Sequence, residues 1–452
     1  MGALAVVILA AGQGTRMNSR LPKVLHPIAG RPMVQYVLDM AAALTEQRPV
    51  VVVGYGAELV RQTLGDVATF VLQEEQLGTG HAVEQAREAL QGQADTVVVL
   101  YGDMPLLLAA TLRALVGTHE AHGGAMTMLT CTHDDSMGFG RVLRDEAGRV
   151  TGIVEEHEAT PQQLTIRELN VGVYCFDADW LWSHLHRLPL SPNGEYYLTD
   201  LVHMAVDEGR SVEAVALKDA EQALGVNDRT HLARAEGAVR QLIRERLMCA
   251  GVTLIDPAAT YFDAEVVIGE DTIVYPNCHL LSRTVIGVNG MIGPNTVIRD
   301  SVVGDNCRLE ASVIEGATIE DNVSIGPFAH LRKGAHLAAG VHMGNFGEVK
   351  NSYLGPGVRM GHFSYVGDAT VGAGANIGAG TITCNYDGVE KNPTVIEEDA
   401  FIGSDTLLVA PVKVGARAVT GAGAVVTRDV PADTIAYGVP ARVRKRKGQT
   451  KG

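Results

Sequence analysis

The stretch Ile268-Gly269-Glu270-Asp271-Thr272-Ile273-Val274-Tyr275-Pro276-Asn277-Cys278-His279-Leu280 places an aliphatic residue at every sixth position. The spacing runs on through Ile286, Ile292 and Ile298, and a small or β-branched residue follows four places after each one. A six-residue repeat is the signature of a parallel β-helix. Each hexapeptide forms one side of a coil with its aliphatic residue pointing inward, and three sides make a triangular prism. The register slips and then resumes at Ile319, Ile325, Leu331 and Leu337, again at Leu354, Met360 and Val366, and finally at Ile396, Ile402, Leu408 and Val414. The segment from Thr383 to Pro393 lacks the period and is rich in turn residues. It is expected to loop out of the prism, and long loops on rigid scaffolds tend to carry function.

Upstream of the repeat, a helix is predicted from near Thr230 to just before Gly251. Leu232, Val239, Leu242, Ile243 and Leu247 would form its apolar stripe, with Arg234, Arg240, Arg244 and Glu245 left outside. It reads as a linker. Residues 1–229 alternate β-branched runs with helical stretches. Val50-Val51-Val52-Val53 and Thr96-Val97-Val98-Val99-Leu100-Tyr101 are continuous apolar strands, as expected when both faces of a parallel sheet are covered. Gly80 to Leu90 has helical spacing. The organisation predicted is a doubly wound α/β domain over 1–229, a linker helix over 230–250 and the β-helix over 251–452.

The first strand, Leu4-Ala5-Val6-Val7-Ile8-Leu9-Ala10, runs into Ala11-Gly12-Gln13-Gly14-Thr15-Arg16-Met17, and Leu21-Pro22-Lys23 follows. A buried strand ending in a Gly-x-Gly turn presents backbone N–H groups to an anion. A dinucleotide fingerprint would need a third glycine where Met17 stands. A phosphate loop of the NTPase kind would need Gly-Lys-Ser/Thr after four spacer residues, and none is present. What remains is a phosphate or nucleotide loop with Arg16 and Lys23 as its cations, set against the plainer possibility of an ordinary strand-to-helix turn.

Bulk properties narrow the field. At 452 residues, 46% hydrophobic and 20% charged, the chain has the composition of a globular protein of two or three domains. A net charge of −15 argues against nucleic acid or an anionic membrane as partner of the whole surface. The six cysteines are scattered with no Cys-x-x-Cys pair, which disfavours zinc and disulfides and fits a reducing cytoplasm. Met1-Gly2-Ala3 lacks the positive start of a signal peptide, and Val6 breaks the myristoylation pattern. No apolar run approaches the ~20 residues of a membrane span. A soluble cytoplasmic protein is expected.

Asp103 follows Tyr101-Gly102 at a strand end, where ligands of doubly wound sheets collect. A carboxylate there suits Mg²⁺, which needs one or two protein oxygens plus substrate phosphates. Pro105 close behind it also allows a helix N-cap. Cationic clamps and a metal on phosphate are the parts that nucleotidyl transfer requires.

Taken together, Leu9-Ala10-Ala11-Gly12-x-Gly14-Thr15-Arg16-Met17, Leu21-Pro22-Lys23, Gln73 before Gln76-Leu77-Gly78-Thr79-Gly80-His81, Tyr101-Gly102-Asp103 and Glu195-Tyr196-Tyr197-Leu198-Thr199-Asp200 resemble a known family. It is the bacterial bifunctional enzymes of UDP-N-acetylglucosamine synthesis, an N-acetylglucosamine-1-phosphate uridyltransferase fused to a glucosamine-1-phosphate N-acetyltransferase. The likeness covers nearly the whole chain and implies that the β-helix is left-handed and the protein a homotrimer.

Carried over residue by residue, the resemblance implies that Leu9, Ala11 and Gly12 touch uridine, with Gln73, Gly78 and Thr79 on the uracil. Arg16 and Lys23 would neutralise the UTP phosphates, while Tyr101, Gly140, Glu155 and Asn170 serve the UTP and sugar site. Asp103 and Asn227 would bind Mg²⁺. In the prism, Arg332 and Lys350 would clamp the sugar phosphate and His362 would be the general base, with Glu348 orienting or polarising the site. Tyr365 and Asn376 would contact the sugar, and Ala379, Asn385, Tyr386, Ser404 and Ala422 would line the acetyl-CoA path. A histidine base is chemically apt, because an ammonium is not a nucleophile and histidine titrates near the working pH. The expected partners are UTP, N-acetylglucosamine-1-phosphate, glucosamine-1-phosphate and acetyl-CoA.

The chain departs from the family at Gly438, where an arginine that helps hold the CoA phosphate would precede Val439-Pro440. Arg442 or the basic tail (Arg444, Lys445, Arg446, Lys447) could substitute, or the tail is a solubilising end. Cys131-Thr132-His133-Asp134-Asp135 and Glu155-Glu156-His157-Glu158 contain metal-ligand types, but nothing elsewhere completes a coordination set. Two other readings stand beside the bifunctional one: a single-activity nucleotidyltransferase whose prism serves assembly, and a non-catalytic scaffold, which would be expected to lose Lys23 or Asp103.

Overall fold

The computed structural model of the protein describes residues 2–136 and 138–445. The chain divides into two compact units, Met1–Val239 and Arg240–Gly452.

The first unit is built on a sheet whose strands lie in the order Val212–Ala216, Met126–Thr132, Glu168–Asp177, Thr96–Tyr101, Leu4–Ala10, Val50–Val53 and Thr69–Leu72, with the hairpin Arg141–Arg144 and Val150–Val154 attached to Glu168–Asp177. Along the first strand Ala5, Val7 and Leu9 enter one apolar cluster, whereas Val6, Ile8 and Ala10 enter another. This is why the strand shows no alternation in its sequence: both of its faces are core. The runs read as parallel strands, Val50–Val53 and Thr96–Tyr101, do flank Leu4–Ala10 in parallel, and within this path Glu168–Asp177 runs antiparallel to Thr96–Tyr101 and to Met126–Thr132. An apolar run buried on both faces reads the same in either direction, so its sequence carries no sign of polarity. The helical stretch after Gly80 resolves into two short helices, Thr79–Glu84 and Arg87–Leu90.

The chain winds outward from Leu4–Ala10 to Thr69–Leu72, then crosses back to Thr96–Tyr101 on the other side of the first strand. The crevice at such a switch point is where ligands of these sheets bind.

The predicted linker is the helix Arg229–Cys249. Its buried stripe is Ala235, Val239, Ile243 and Leu247, at i, i+4 spacing. Leu242, expected on that stripe, is 52% exposed, because it projects from the flank.

Among the described residues of the second unit, short strands stack into three sheets of 12, 10 and 9 strands, in parallel and each pairing with the third one after it until the C-terminal end, where Thr434–Tyr437 pairs with Val419–Thr420 and is followed by an antiparallel strand. Ile268 pairs with Ile286, Val274 with Ile292 and Leu280 with Ile298, so one coil takes 18 residues. The slips in register are shorter coils: Ile286–Val303 and Val303–Ile319 are 17 and 16 residues apart. The aliphatic positions face inward, and the residues four places on join them, with Thr272, Cys278, Thr284 and Thr296 at 0% exposure. Asp271, Asn277, Asn289, Asn295, Asn306 and Asn322 occupy corners in the left-handed region, φ 56 to 60. Asn and Asp are the side-chain-bearing residues that tolerate it best. The unit is a left-handed parallel β-helix. The expected loop is present but begins later than the sequence suggested, since Ile382–Cys384 and Thr394–Ile396 remain strands of the prism.

Candidate functional site

A cavity of about 350 Å³ opens at the switch point, lined by Leu9, Ala11, Gly12, Lys23, Gln73, Gln76, Gly78, Thr79, Tyr101, Asp103, Glu195 and Asn227 among others. The glycine turn shapes its mouth. Gly14 has φ 65 and leads into the turn Thr15–Met17, and a Cβ there would lie 2.6 Å from the Cβ of Lys23. Lys23 begins a second turn, Lys23–Leu25. Its ammonium donates to the carboxylate of Asp103 and to Oδ1 of Asn227 at 3.2 Å. Asp103 is therefore an ion-pair partner and not a helix cap, and the next helix starts only at Ala109.

Gln73 is 3% exposed and donates to the carbonyl of Gly78 at 3.2 Å. The Gly78-Thr79-Gly80 segment is backed by the chain after Glu195. The N–H of Tyr196 donates to Leu77 O, that of Gly80 to Tyr196 O, and that of Leu198 to Thr79 Oγ1, at 2.8, 2.8 and 3.0 Å.

A second cavity, of about 280 Å³, shares Thr79, Tyr101, Asp103, Glu195 and Asn227 with the first and adds Gly140, Glu155, Asn170, Gly172, Tyr197 and Thr199. Burial pushes the Glu155 carboxyl up, against a hydrogen bond of 3.0 Å from Thr199 Oγ1 that favours the charged form. Asn170 donates to the Tyr174 hydroxyl at 2.7 Å and accepts from the Gly172 N–H at 3.1 Å, which fixes its amide. Burial also raises the phenols of Tyr101 and Tyr174, so both stay protonated.

Arg16 lines neither cavity. It is exposed on the Thr15–Met17 turn, and its charge helps hold the Asp228 carboxyl below the usual range, after the backbone N–H of His231. Gln76, Glu195, Tyr197 and Thr199 line the two cavities and were given no role from sequence. The Glu195–Asp200 motif was visible as a motif, but its placement depends on long-range pairing.

The donor set fits a divalent cation of the hard kind. Two oxygens, one anionic and one neutral, converge on a single cationic atom, the Lys23 Nζ. Mg²⁺ takes such oxygens together with substrate phosphate. Among the described residues no group of three or more His, Cys, Asp or Glu side chains is placed to hold a metal ion, at this site or another.

In the prism, His362, Asn376, Ala379, Ser404 and Ala422 line one groove of about 680 Å³, together with Arg359 and Phe401. They are far apart in sequence but adjacent in space, because Arg359, Asn376, Phe401 and Val419 pair in register on successive coils. Arg332, Glu348, Lys350, Tyr365 and Asn385 gather separately, on another sheet. His330, Glu348 and Tyr365 stand in register there. Arg332 donates to Glu348 Oε1 at 2.9 Å, which raises its guanidinium pKa further. Asn385 donates to the Tyr365 hydroxyl at 3.5 Å and to Asp368, which also accepts from Asn351 at 2.6 Å. Lys350 lies against Lys391, whose proximity lowers its pKa. Lys391, on the loop, was not foreseen. Two adjacent ammonium groups repel unless an anion sits between them. Tyr386 is 61% exposed and donates to the carbonyl of Gly388 at 2.7 Å.

At the C-terminal end, Gly438 has φ 97, a conformation in which an arginine would be strained. Arg442–Lys445 is a strand antiparallel to Thr434–Tyr437, with Arg442 opposite Tyr437 and Arg444 opposite Ile435. Arg444 and Lys445 of the tail therefore belong to a strand. Arg446 and Lys447 lie outside the described residues. No helix among the described residues is long and apolar enough to cross a membrane.

Comparison with known proteins adds two family matches. Residues 6–165 match the MobA-like NTP transferase domain, and residues 393–428 match the bacterial transferase hexapeptide (six repeats). Similar proteins include several that carry the name Bifunctional protein GlmU. The one from Heliobacterium modesticaldum is 52% identical over 431 residues, covering 95% of this chain and 94% of its own length. The one from Pelobacter propionicus is 48% identical over 447 residues, with 98% and 97% covered. The one from an Exiguobacterium species is 46% identical over 446 residues, with 98% and 99% covered.

Proposed function

The chain belongs to the GlmU family of bifunctional proteins, and from that premise we propose how its two units divide the synthesis of UDP-N-acetylglucosamine. The β-helix transfers acetyl from acetyl-CoA to the amine of glucosamine-1-phosphate. The N-terminal unit transfers uridylyl from UTP to the resulting N-acetylglucosamine-1-phosphate and releases pyrophosphate. The observation that carries this reading is the pair of contiguous cavities that share Thr79, Tyr101, Asp103, Glu195 and Asn227. Two ligands placed in them would meet beside Lys23 and Asp103.

The first cavity takes UTP. Leu9, Ala11 and Gly12 contact the uridine, Gln73, Gly78 and Thr79 hold the uracil, and Lys23 neutralises the phosphates, joined by Arg16 from the exposed turn outside the cavity. The second cavity takes the sugar phosphate, with Gly140, Glu155 and Asn170 on the sugar. The sugar phosphate oxygen attacks the α-phosphorus directly, and no covalent enzyme intermediate forms. Asp103 and Asn227 would hold Mg²⁺, which supplies charge neutralisation on the phosphates. The role left to the protein is positioning and electrostatic stabilisation.

In the prism, Arg332 and Lys350 clamp the sugar phosphate, a role supported by the second cation, Lys391, beside Lys350. His362 takes a proton from the glucosamine ammonium, so that the neutral amine attacks the thioester carbonyl; the C–S bond then breaks, the amine gives up its second proton, and coenzyme A leaves as the protonated thiol. Glu348, held by Arg332, orients the site, with Tyr365 and Asn376 on the sugar. Ala379, Asn385, Tyr386, Ser404 and Ala422 line the path of acetyl-CoA. The residues of this site fall into two groups on different sheets, which supports a homotrimer in which copies of the prism complete each other's acetyl sites. A cytoplasmic location fits the supply of these substrates.

The test is a pair of substitutions, His362→Ala and Asp103→Ala, each assayed for acetyl transfer and for pyrophosphate release. His362→Ala is expected to lose acetyl transfer alone, and Asp103→Ala to lose pyrophosphate release alone. Acetyl transfer that survives in His362→Ala sinks the base assignment.

A further inference from the structure

The turn Thr15–Met17 carries Arg16 and ends at Met17. The turn Lys23–Leu25 carries Lys23 and is closed by His26, whose N–H donates to the Lys23 carbonyl at 3.2 Å. One side chain bonds to the exit of both turns. Arg229 donates from Nε to the Met17 carbonyl at 3.2 Å and from a terminal guanidinium nitrogen to His26 Nδ1 at 3.3 Å. Because Nδ1 accepts, the imidazole proton sits on Nε2, which is buried without a partner. His26 is 3% exposed, so the imidazole offers a fixed anchor.

Arg229 is also tied to the end of the cavity where Asp103 and Asn227 stand. Two residues before it, Asn227 receives the Lys23 ammonium, and Val226 N–H donates to the Asp103 carbonyl at 2.9 Å. Asp228 accepts from the N–H groups of Thr230 and His231 and so starts the helix. A cation at the first residue of a helix opposes the helix dipole. Arg229 is therefore poorly suited to its place as a helix former, and its side-chain bonds account for it better.

We propose that Arg229 is a positioning residue for uridylyl transfer: its single guanidinium sets the spacing of the two turns that carry Arg16 and Lys23, and keeps both in register with Asp103 and Asn227. The inference rests on the proposed reading of this cavity as the UTP site. A flat guanidinium with several donors in fixed directions suits this task, since both acceptors are engaged at once. A lysine in its place offers a point charge on a flexible stem and reaches one acceptor.

The experiment compares the full-length protein with Arg229→Met and Arg229→Lys, measuring KM for UTP, KM for N-acetylglucosamine-1-phosphate, acetyl transfer and the melting temperature. Displacement of a clamp by about 1 Å is worth up to ~100-fold in rate. Arg229→Met is expected to raise KM for UTP by about tenfold or more and to lower kcat/KM by about 10- to 100-fold. KM for the sugar phosphate and acetyl transfer stay within about twofold of the unaltered protein, a split that general loosening of the fold does not produce. Arg229→Lys gives an intermediate KM for UTP, and it carries the test where Arg229→Met does not fold. KM for UTP unchanged in the variant that folds overturns the inference, as does a rise in both KM values together. Absence of UTP-dependent pyrophosphate release in the unaltered protein overturns the functional reading itself, and this inference with it.

Discussion

Lys23 and Asp103 are 80 residues apart in the chain, yet they form an ion pair in which each side chain is only 15% exposed. The pair joins the end of the glycine-turn segment to the strand end across the switch point, and Asn227 closes it from a third direction. A cation fixed at this place, before any ligand arrives, is preorganised for a phosphate.

Lys23→Met removes that cation while keeping the length of the stem. Loss of one preorganised electrostatic group typically costs about 10²- to 10³-fold in kcat. Uridylyl transfer is expected to fall by about that factor, with acetyl transfer in the same preparation unchanged. Pyrophosphate release within about tenfold of the unaltered protein would show that Lys23 is only a structural partner of Asp103.

Gly78 carries a second constraint on the same cavity. Its φ is 99, and a Cβ would lie 2.6 and 2.7 Å from the backbone O and N of Tyr196. Backbone atoms cannot swing aside as a side-chain tip can. Gly78→Ala therefore has to separate the Gln73–Gly80 wall from the Glu195–Asp200 wall. A loss of about 1–3 kcal/mol is expected from the strained backbone, together with a raised KM for UTP. Urea unfolding and steady-state kinetics check the two effects, and an unchanged midpoint rules out the clash.

The prism was legible from sequence because its inward residues recur at one spacing, and Ile268, Ile286, Val274 and Ile292 pair as that spacing requires. The shorter coils were seen as slips but not explained, because a corner can lose a residue without leaving a trace in the aliphatic positions. In the first unit the buried strands and the glycine turn were visible. The antiparallel course of Glu168–Asp177 was not, since burial on both faces erases the pattern that would reveal it. Leu242 was misplaced because five apolar residues were fitted to one stripe, whereas the helix buries a narrower one. At the candidate sites, the strand-end residues could be guessed from topology. The bracing by Arg229 and the approach of Lys391 to Lys350 depend on contacts between distant segments. Local sequence does not encode them.

The corners of the prism offer a test of the left-handed positions. Asn322 has φ 59 at the turn after Ile319. A side-chain-bearing residue there costs roughly 1–2 kcal/mol, less for Asn and more for a β-branched residue. Asn322→Gly should keep or raise the melting temperature, and Asn322→Val should lower it. The reverse order would mean that contacts of the side chain outweigh the backbone term.

Glu155 sets stability against function, and pH separates the two. Burial raises its carboxyl above the ordinary value of 4.5, despite the hydrogen bond from Thr199. For a raised carboxyl the sign is unfavourable at neutral pH: below the unfolded-state pKa the group is neutral in both states and adds nothing. As pH rises through the folded-state value, the folded protein must hold a charge that the unfolded chain solvates better. Glu155→Gln removes the titration but leaves an oxygen to accept from Thr199. The variant should therefore melt higher than the unaltered protein at pH 7, and this advantage should shrink towards zero on approaching pH 4. Its KM for N-acetylglucosamine-1-phosphate should rise, because the proposed sugar pocket loses a carboxylate acceptor, which the hydrogen bond from Thr199 favours. Melting curves at the two pH values, read beside that KM, check both halves. An equal melting advantage at pH 4 and pH 7 would show that the gain comes from packing and not from the buried charge.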